Sequence, residues 1–233
     1  MAHDWMNLEE LAKRLNRDRR AIEKMVQRGR IPAHKVANEW RFNSTEITHW
    51  LENELREYSD EELANVEETN PSDELSAGTP VASLLKPELV EIPLQARTKR
   101  SVLEALIEVA GRTWQVWEPA TVLQAVQERE EVLSTGFDNG VAIPHPRNPL
   151  PESIGESLIA YGRTFSGIPF GAPKRALTDV FFLVLCQDGR THLQVLARLA
   201  RMMQQPGFVD SLRATDDVRE SYDLICDADQ QLG

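Results

Sequence analysis

A chain of 233 residues is long enough for one large domain or two modest ones, and its 41% hydrophobic content is ordinary for a globular protein. A formal net charge of -11 argues against nucleic-acid or anionic-membrane binding by the chain as a whole, because both depend on positive surface charge. The sign is uneven: residues 1–50 carry ten Lys or Arg against seven Asp or Glu, whereas residues 51–80 carry one basic residue against ten acidic ones, so only the first segment suits DNA. No stretch approaches the roughly 20 apolar residues that cross a bilayer, and Met1-Ala2-His3-Asp4-Trp5 lacks a signal pattern. Cys186 and Cys226 match neither a metal-ligand spacing nor a disulfide framework. A cytoplasmic protein with two buried thiols, no membrane insertion and no cofactor is expected.

In chain order, Leu8, Leu11, Ala12 and Leu15 follow helical spacing, with Asn7 and Glu10 placed to form a capping box. Asp18 caps a second helix whose apolar face is Ala21, Ile22, Met25 and Val26, and Gly29 ends it. The runs Ile31–Val36 and Glu39–Phe42, separated by Ala37-Asn38, predict a hairpin. Ser44 or Thr45 caps a third helix with Ile47, Trp50, Leu51 and Leu55 inward. Residues 52–80, rich in Glu and Asp and closing on Ser76-Ala77-Gly78-Thr79-Pro80, predict a disordered or partly helical linker between separate domains. Beyond Val81, predicted strands (Leu89–Leu94, Ser157–Tyr161, Asp179–Cys186) interleave with predicted helices (Lys99–Arg112, Ala120–Glu130, His192–Gln204, about Asp216–Cys226). That alternation predicts an α/β (α+β layered) architecture with a central mixed sheet flanked by helices. The expected division is 1–55, an acidic linker 56–80, and 81–233.

The order helix, tight turn, helix, hairpin, helix over about residues 5–55 resembles the winged helix-turn-helix of the excisionase and mercury-resistance-regulator type. Leu8 to Leu15, Arg19 to Val26, Gly29 to Val36 and Trp40-Arg41-Phe42 carry the resemblance. If the second helix enters the major groove, Arg17, Arg19, Arg20 and Lys24 can reach phosphates or base edges, while Arg30, Lys35 and Arg41 hold the backbone from the turn and wing. One such module offers few contacts, so useful specificity calls for a homodimer or another partner.

The candidate chemistry lies in Arg129-Glu130, Ser134-Thr135, Asn139-Gly140-Val141-Ala142-Ile143-Pro144-His145 and His192-Leu193. A histidine on a turn restricted by Pro144 and opened by Gly140 can present one unprotonated nitrogen to an incoming phosphoryl group while the other donates to a fixed acceptor. Together with Lys99–Leu106 and the run from His192 to Ala200, these motifs resemble the enzyme IIA domain of the bacterial phosphotransferase system, of the fructose, mannitol and nitrogen-regulatory type, over about residues 84–230. The resemblance implies a phosphotransferase-type phosphocarrier in which His145 accepts a phosphoryl group from a histidine-phosphorylated carrier protein. It implies that Arg129 forks the phosphoryl oxygens and that His192 donates to them, with Ser134 and Thr135 as further donors. Two histidines without a third ligand argue against a metal. Pro146-Arg147 stands where many family members carry a small residue and then a basic one, which stiffens the loop, and the chain holds no enzyme IIB domain or permease.

The expectation is a phosphohistidine-carrying regulator coupling His145 to DNA binding and transcription control. The alternatives are a component serving a separate sugar permease, through a separate enzyme IIB or regulatory target, and a DNA-binding protein with a non-phosphorylated sensor domain.

Overall fold

A computed structural model describes residues 5–70, 75 and 80–232. Strand β1 (Trp5–Met6) leads into α1 (Leu8–Arg14). The Asn7 side chain accepts from the amides of Glu9 and Glu10, and Glu10 accepts from the Asn7 amide. This capping box satisfies amides that the first turn cannot. Asp18 caps α2 (Arg19–Gln27), and Gly29 at φ 65° supplies the left-handed residue beyond its end. Ile22 and Val26 form the buried stripe, whereas Met25 is half-buried and Ala21 is exposed. Strands β2 (His34–Val36) and β3 (Glu39–Asn43) pair across Ala37-Asn38, both at positive φ as a two-residue hairpin demands. The sheet order is β1-β3-β2.

Helix α3 (Ser44–Glu54) is capped by Asn43 rather than by Ser44 or Thr45, because Asn43 is the last extended residue and its side chain accepts from Thr45 and Glu46. Leu11, Ile22, Phe42 and Ile47 close a small core. Helix α4 (Asp60–Thr69) follows, its N-terminus held by a Ser59–Glu62 capping box.

The larger unit runs α5 (Pro80–Leu84), β4 (Leu85–Glu91), α6 (Lys99–Ala110), α7 (Pro119–Val132), β5 (Val141–Ala142), β6 (Leu158–Ile168), β7 (Thr178–Leu185), α8 (Gly189–Gln204), α9 (Phe208–Ala214) and α10 (Val218–Gln231). The sheet order is β4-β6-β7-β5, with β6 and β7 antiparallel and the two outer pairs parallel, so the expected mixed sheet is present. Strand β7 is buried along almost its whole length, as a strand covered on both faces must be. Helices α6, α8 and α10 pack against the sheet. Strand β4 starts at Leu85, four residues before the expected Leu89. Cys186 is buried, while Cys226, expected to be buried too, is half-buried.

The acidic segment departs most from expectation. Residues 60–69 form a helix, as a partly helical segment allows, but that helix packs on α8. Leu63 and Val66 enter the main core beside Leu51, Leu55 and Tyr58. Glu67 accepts from Arg198 and Arg201, each at 3.1 Å, and Asp60 accepts from Arg201 at 2.8 Å. Self-repulsion is offset because α8 supplies two arginines opposite the acidic face. Residues 71–74 and 76–79, which hold most of the expected Ser/Gly/Pro linker, lie outside the described residues. The small N-terminal core therefore leans directly on the larger one, with Leu15 and Trp50 packed against both.

Candidate functional site

Strand β5 ends at Ala142, and Ile143-Pro144-His145 leaves it along the edge of β7, where the Val184 amide donates to the Pro144 carbonyl at 2.9 Å. Gly140 opens the preceding turn at φ 86°, and a side chain there would strike the Arg213 guanidinium and Asp179. The Arg213 guanidinium donates to the Asn139 carbonyl at 2.7 Å and pairs with Asp179 at 2.7 Å, clamping that turn. His145 is thus held rigidly. Its Nδ1–H donates to the Ile143 carbonyl at 2.7 Å, which leaves the lone pair on Nε2. That Nε2 is buried and has no hydrogen-bond partner. Burial pushes the His145 imidazole below its ordinary value, and His192 and Arg129 add to the effect, while Glu52 opposes it.

The companions come from three other elements. Asp188 caps α8 through the amides of Arg190 and Thr191, placing His192 in the first turn, with its ring edge-on to His145 at 4.9 Å between centroids. Arg129, near the end of α7, is buried and donates through Nη1 to the Leu133 carbonyl at 2.8 Å. Arg129, Thr135, His145 and Arg56 line one cavity of about 30 Å³. Ser134 is not brought into it, because its hydroxyl donates to the Phe170 carbonyl at 3.0 Å. Thr135 lines the cavity, yet its hydroxyl and amide both donate to Glu130, which also pairs with Lys99 at 2.8 Å. Glu130 is therefore the structural half of the Arg-Glu pair, turning Thr135 inward.

Glu52 is the residue that sequence reasoning missed. It was grouped with the acidic run, but it is 6% exposed and reaches out of α3 into the site. His192 Nε2 donates to its Oε1 at 3.1 Å, and its Oε2 lies 3.8 Å from His145 Nε2. Burial alone would raise the Glu52 carboxyl, but the two histidines beside it, His192 through its hydrogen bond, hold it well below the usual carboxylate range. A signal did exist: Thr48, Glu52 and Arg56 recur at every fourth position beside the apolar Ile47, Leu51 and Leu55. Arg56 follows Glu52 in, donating to the Ser134 carbonyl and lying 5.1 Å from the Phe137 ring centre. Glu52 also supplies the third donor whose lack argued against a metal, since its carboxylate and both imidazoles lie within 4.8 Å of one another. Arg56 and Arg129 beside them suit an anion better than a cation. A cleft of about 1080 Å³ between the two units, edged by Lys13, Arg14, Arg147 and Arg190, leads to Glu52 and His192.

Of the candidate DNA contacts, Arg20, Lys24, Arg30 and Lys35 are exposed. Arg19 is exposed but paired with Glu9 and Glu23, each at 3.2 Å, and Arg41 pairs with Glu39 at 3.1 Å. Arg17 is turned inward, bound to Glu62 at 3.2 Å and stacked on Tyr58. The structure thus places Arg17 against α4 rather than among the exposed cations. No helix among the described residues is long and apolar enough to cross a membrane.

Residues 83–228 match the family described as phosphoenolpyruvate-dependent sugar phosphotransferase system, EIIA 2, and residues 5–54 match a helix-turn-helix domain. A nitrogen regulatory protein of Bradyrhizobium diazoefficiens is 30% identical over 148 residues, 63% of this chain and 94% of that protein. A fructose-specific EIIA component of Haloferax volcanii is 24% identical over 151 residues, 64% of this chain and 96% of that protein. The fold is shared with the IIA-Ntr protein of Neisseria meningitidis (TM-score 0.56, 23% identity, 62% of this chain and 98% of that one). It is also shared with IIA mannitol of Escherichia coli (TM-score 0.53, 20% identity, 60% of this chain and 97% of that one). With its mixed sheet flanked by helices and a helix-turn-helix domain at the N-terminus, the chain belongs to the EIIA 2 family of the phosphotransferase system.

Proposed function

We propose that this protein is a phosphohistidine-carrying regulator, accepting a phosphoryl group on His145 Nε2 and coupling that state to DNA binding by its N-terminal domain. The observation that carries the reading is the His145 ring itself: Nδ1 is committed to the Ile143 carbonyl, and Nε2 is a partnerless lone pair beside Arg129 and His192. In the proposed step, the lone pair attacks the phosphorus of the carrier's phosphohistidine. The Nε2–P bond forms as the carrier's N–P bond breaks, and the bonding electrons return to the carrier's imidazole. Nδ1 keeps its proton throughout. Arg129 balances charge on the equatorial oxygens, and His192 donates to one of them; positioning and charge are most of what such a site supplies. The nitrogen regulatory relatives, and the helix-turn-helix match, favour a regulatory over a purely transport role. One solved relative is a complex of IIA mannitol with phosphorylated IIB mannitol, so a IIB-like or regulatory partner is a natural recipient here.

The test is incubation with the phosphorylated histidine carrier, phosphoenolpyruvate and its donor enzyme, scored by intact mass. The expected result is one acid-labile phosphoryl adduct on wild type and none on His145→Ala. No adduct on wild type, beside a competent control acceptor, would favour the reading in which the domain is a non-phosphorylated sensor. The closed state of the site is the observation on that side.

A further inference from the structure

We infer that the N-terminal domain is itself a partner docked on the phosphohistidine face, with the Glu52 carboxylate standing where the phosphoryl group would stand, so that docking and phosphorylation of His145 exclude one another. The inference rests on the phosphoacceptor reading for its second half and on geometry alone for its first.

Three features carry it. Glu52 is an anion buried among groups suited to an anion, with His192 donating at 3.1 Å and the guanidiniums of Arg56 and Arg129 along the same cavity, and its second oxygen lies 3.8 Å from His145 Nε2. It sits on α3, the helix that also carries Ile47 into the small core and Leu51 into the large one, so its position is rigidly tied to the helix-turn-helix. Finally, no phosphorus with three oxygens can be placed on His145 Nε2 while a carboxylate oxygen lies 3.8 Å away, and His145 is only 4% exposed. A carrier protein cannot reach it until α3 has swung away. Once phosphorylated, the site repels Glu52 as a like charge in a dry environment.

Other contacts are positioned to break with it. The His49 Nε2–H donates to the Arg147 carbonyl at 2.9 Å, and Arg147 Nε donates to His49 Nδ1 at 3.2 Å, joining α3 to the loop just after His145. Arg56 donates to the Ser134 carbonyl on the opposite side of the site. Glu52 thus lies between two polar tethers, one on α3 and one on the turn that follows it. Phosphorylation therefore changes which surface of the helix-turn-helix is free, giving the DNA-binding domain a physical means of reading the phosphoryl state.

The experiment compares wild type with Glu52→Gln, which keeps the side-chain shape and removes the charge, as full-length chains. Amide hydrogen exchange in α3 and in the first turn of α8 is followed before and after incubation with the phosphorylated carrier, with intact mass giving the phosphorylation rate. The expected results are at least tenfold faster phosphorylation of Glu52→Gln, faster exchange in its α3 before any phosphate is added, and loss of α3 protection in wild type once His145 is phosphorylated. Equal rates, or α3 protection unchanged by phosphorylation, overturn the exclusion. If neither chain takes phosphate, the phosphoacceptor reading has failed. Docking is then decided by the unphosphorylated samples alone: faster exchange in Glu52→Gln supports the anionic contact, and identical exchange overturns it. One equivalent of zinc bound by wild type and lost in Glu52→Gln would also overturn it, making the three residues a cation site.

Discussion

At His145, one hydrogen bond decides which nitrogen is chemically available. With Nδ1 committed to Ile143, the proposed phosphoacceptor role requires an unprotonated Nε2, which burial favours by lowering the affinity of the ring for a proton. The sign follows directly. A group whose folded pKa lies below its unfolded value contributes stability that is full above the unfolded value, near 6.5 here, and is lost as the pH falls through the folded one. Glu52 acts in the same direction but at lower pH, since its carboxyl stays ionised well below its ordinary 4.5. Thermal unfolding across a pH series should show wild type losing stability on acidification below about pH 6.5, and His145→Gln should flatten that decline. An equal decline in both would assign it to other groups. Arg129 offers a second test. A lysine there keeps the charge but loses the fork and the bond to Leu133, so Arg129→Lys is expected to slow phosphorylation of His145 by about a hundredfold, near the cost of losing one preorganised donor. A change within a factor of two would remove Arg129 from the chemistry.

Helix α4 shows how an element with an unpromising composition becomes part of the core. Its acidic residues are not distributed at random: Leu63 and Val66 are buried, Glu67 faces Arg198 and Arg201, and Glu61 faces solvent. Leu63→Ala should cost about 2–5 kcal/mol in urea unfolding, whereas Glu61→Ala should stay within about 0.5 kcal/mol. Comparable small effects would mean that α4 contributes little to the folded unit. Arg198 is the more severe test. It is 2% exposed and bridges Glu67 at 3.1 Å and the fully buried Asp229 at 2.7 Å. Asp229 in turn accepts from the Ala82 amide at 2.8 Å, so this arginine ties α4, α5, α8 and α10 together. Arg198→Met leaves the buried Asp229 without its cation and Glu67 with Arg201 alone, and the expected loss is about 3–5 kcal/mol, read from the same unfolding curves.

Across the whole molecule, the cations are divided between two tasks. Lys13, Arg14, Arg147 and Arg190 edge the cleft between the units, whereas Arg20 and Lys24 are exposed on α2. If the N-terminal domain binds DNA through α2, each phosphate contact releases counterions, so removing one should lower the salt slope by about one. Lys24→Ala and Arg20→Ala are the variants to titrate against salt, with Arg17→Ala as the contrast. Arg17 is bound to Glu62 and Tyr58, so its loss should lower stability rather than the slope. A slope unaffected by both surface variants would place DNA binding elsewhere or nowhere.

The local devices of the fold were legible because each is a short-range interaction written in neighbouring residues. The Asn7 and Asp18 caps, the Ala37-Asn38 hairpin turn, the alternation of strand and helix beyond Val81 and the ordered run from Arg129 to His145 all belong to this class. The same reading placed His145, Arg129 and His192 in one motif set, and tertiary packing brings them together. Other features depended on what lies across the structure. The acidic run read as a disordered or partly helical linker because composition cannot reveal the two arginines of α8 that face it. Ser134 and Thr135 read as donors to the site because sequence does not say that Phe170 and Glu130 take their hydroxyls. Glu52 read as part of the acidic segment, and only docking of α3 on the larger unit sets it against histidines 93 and 140 positions away. Burial and charge pairing at that distance are properties of packing between elements, and no local pattern encodes them.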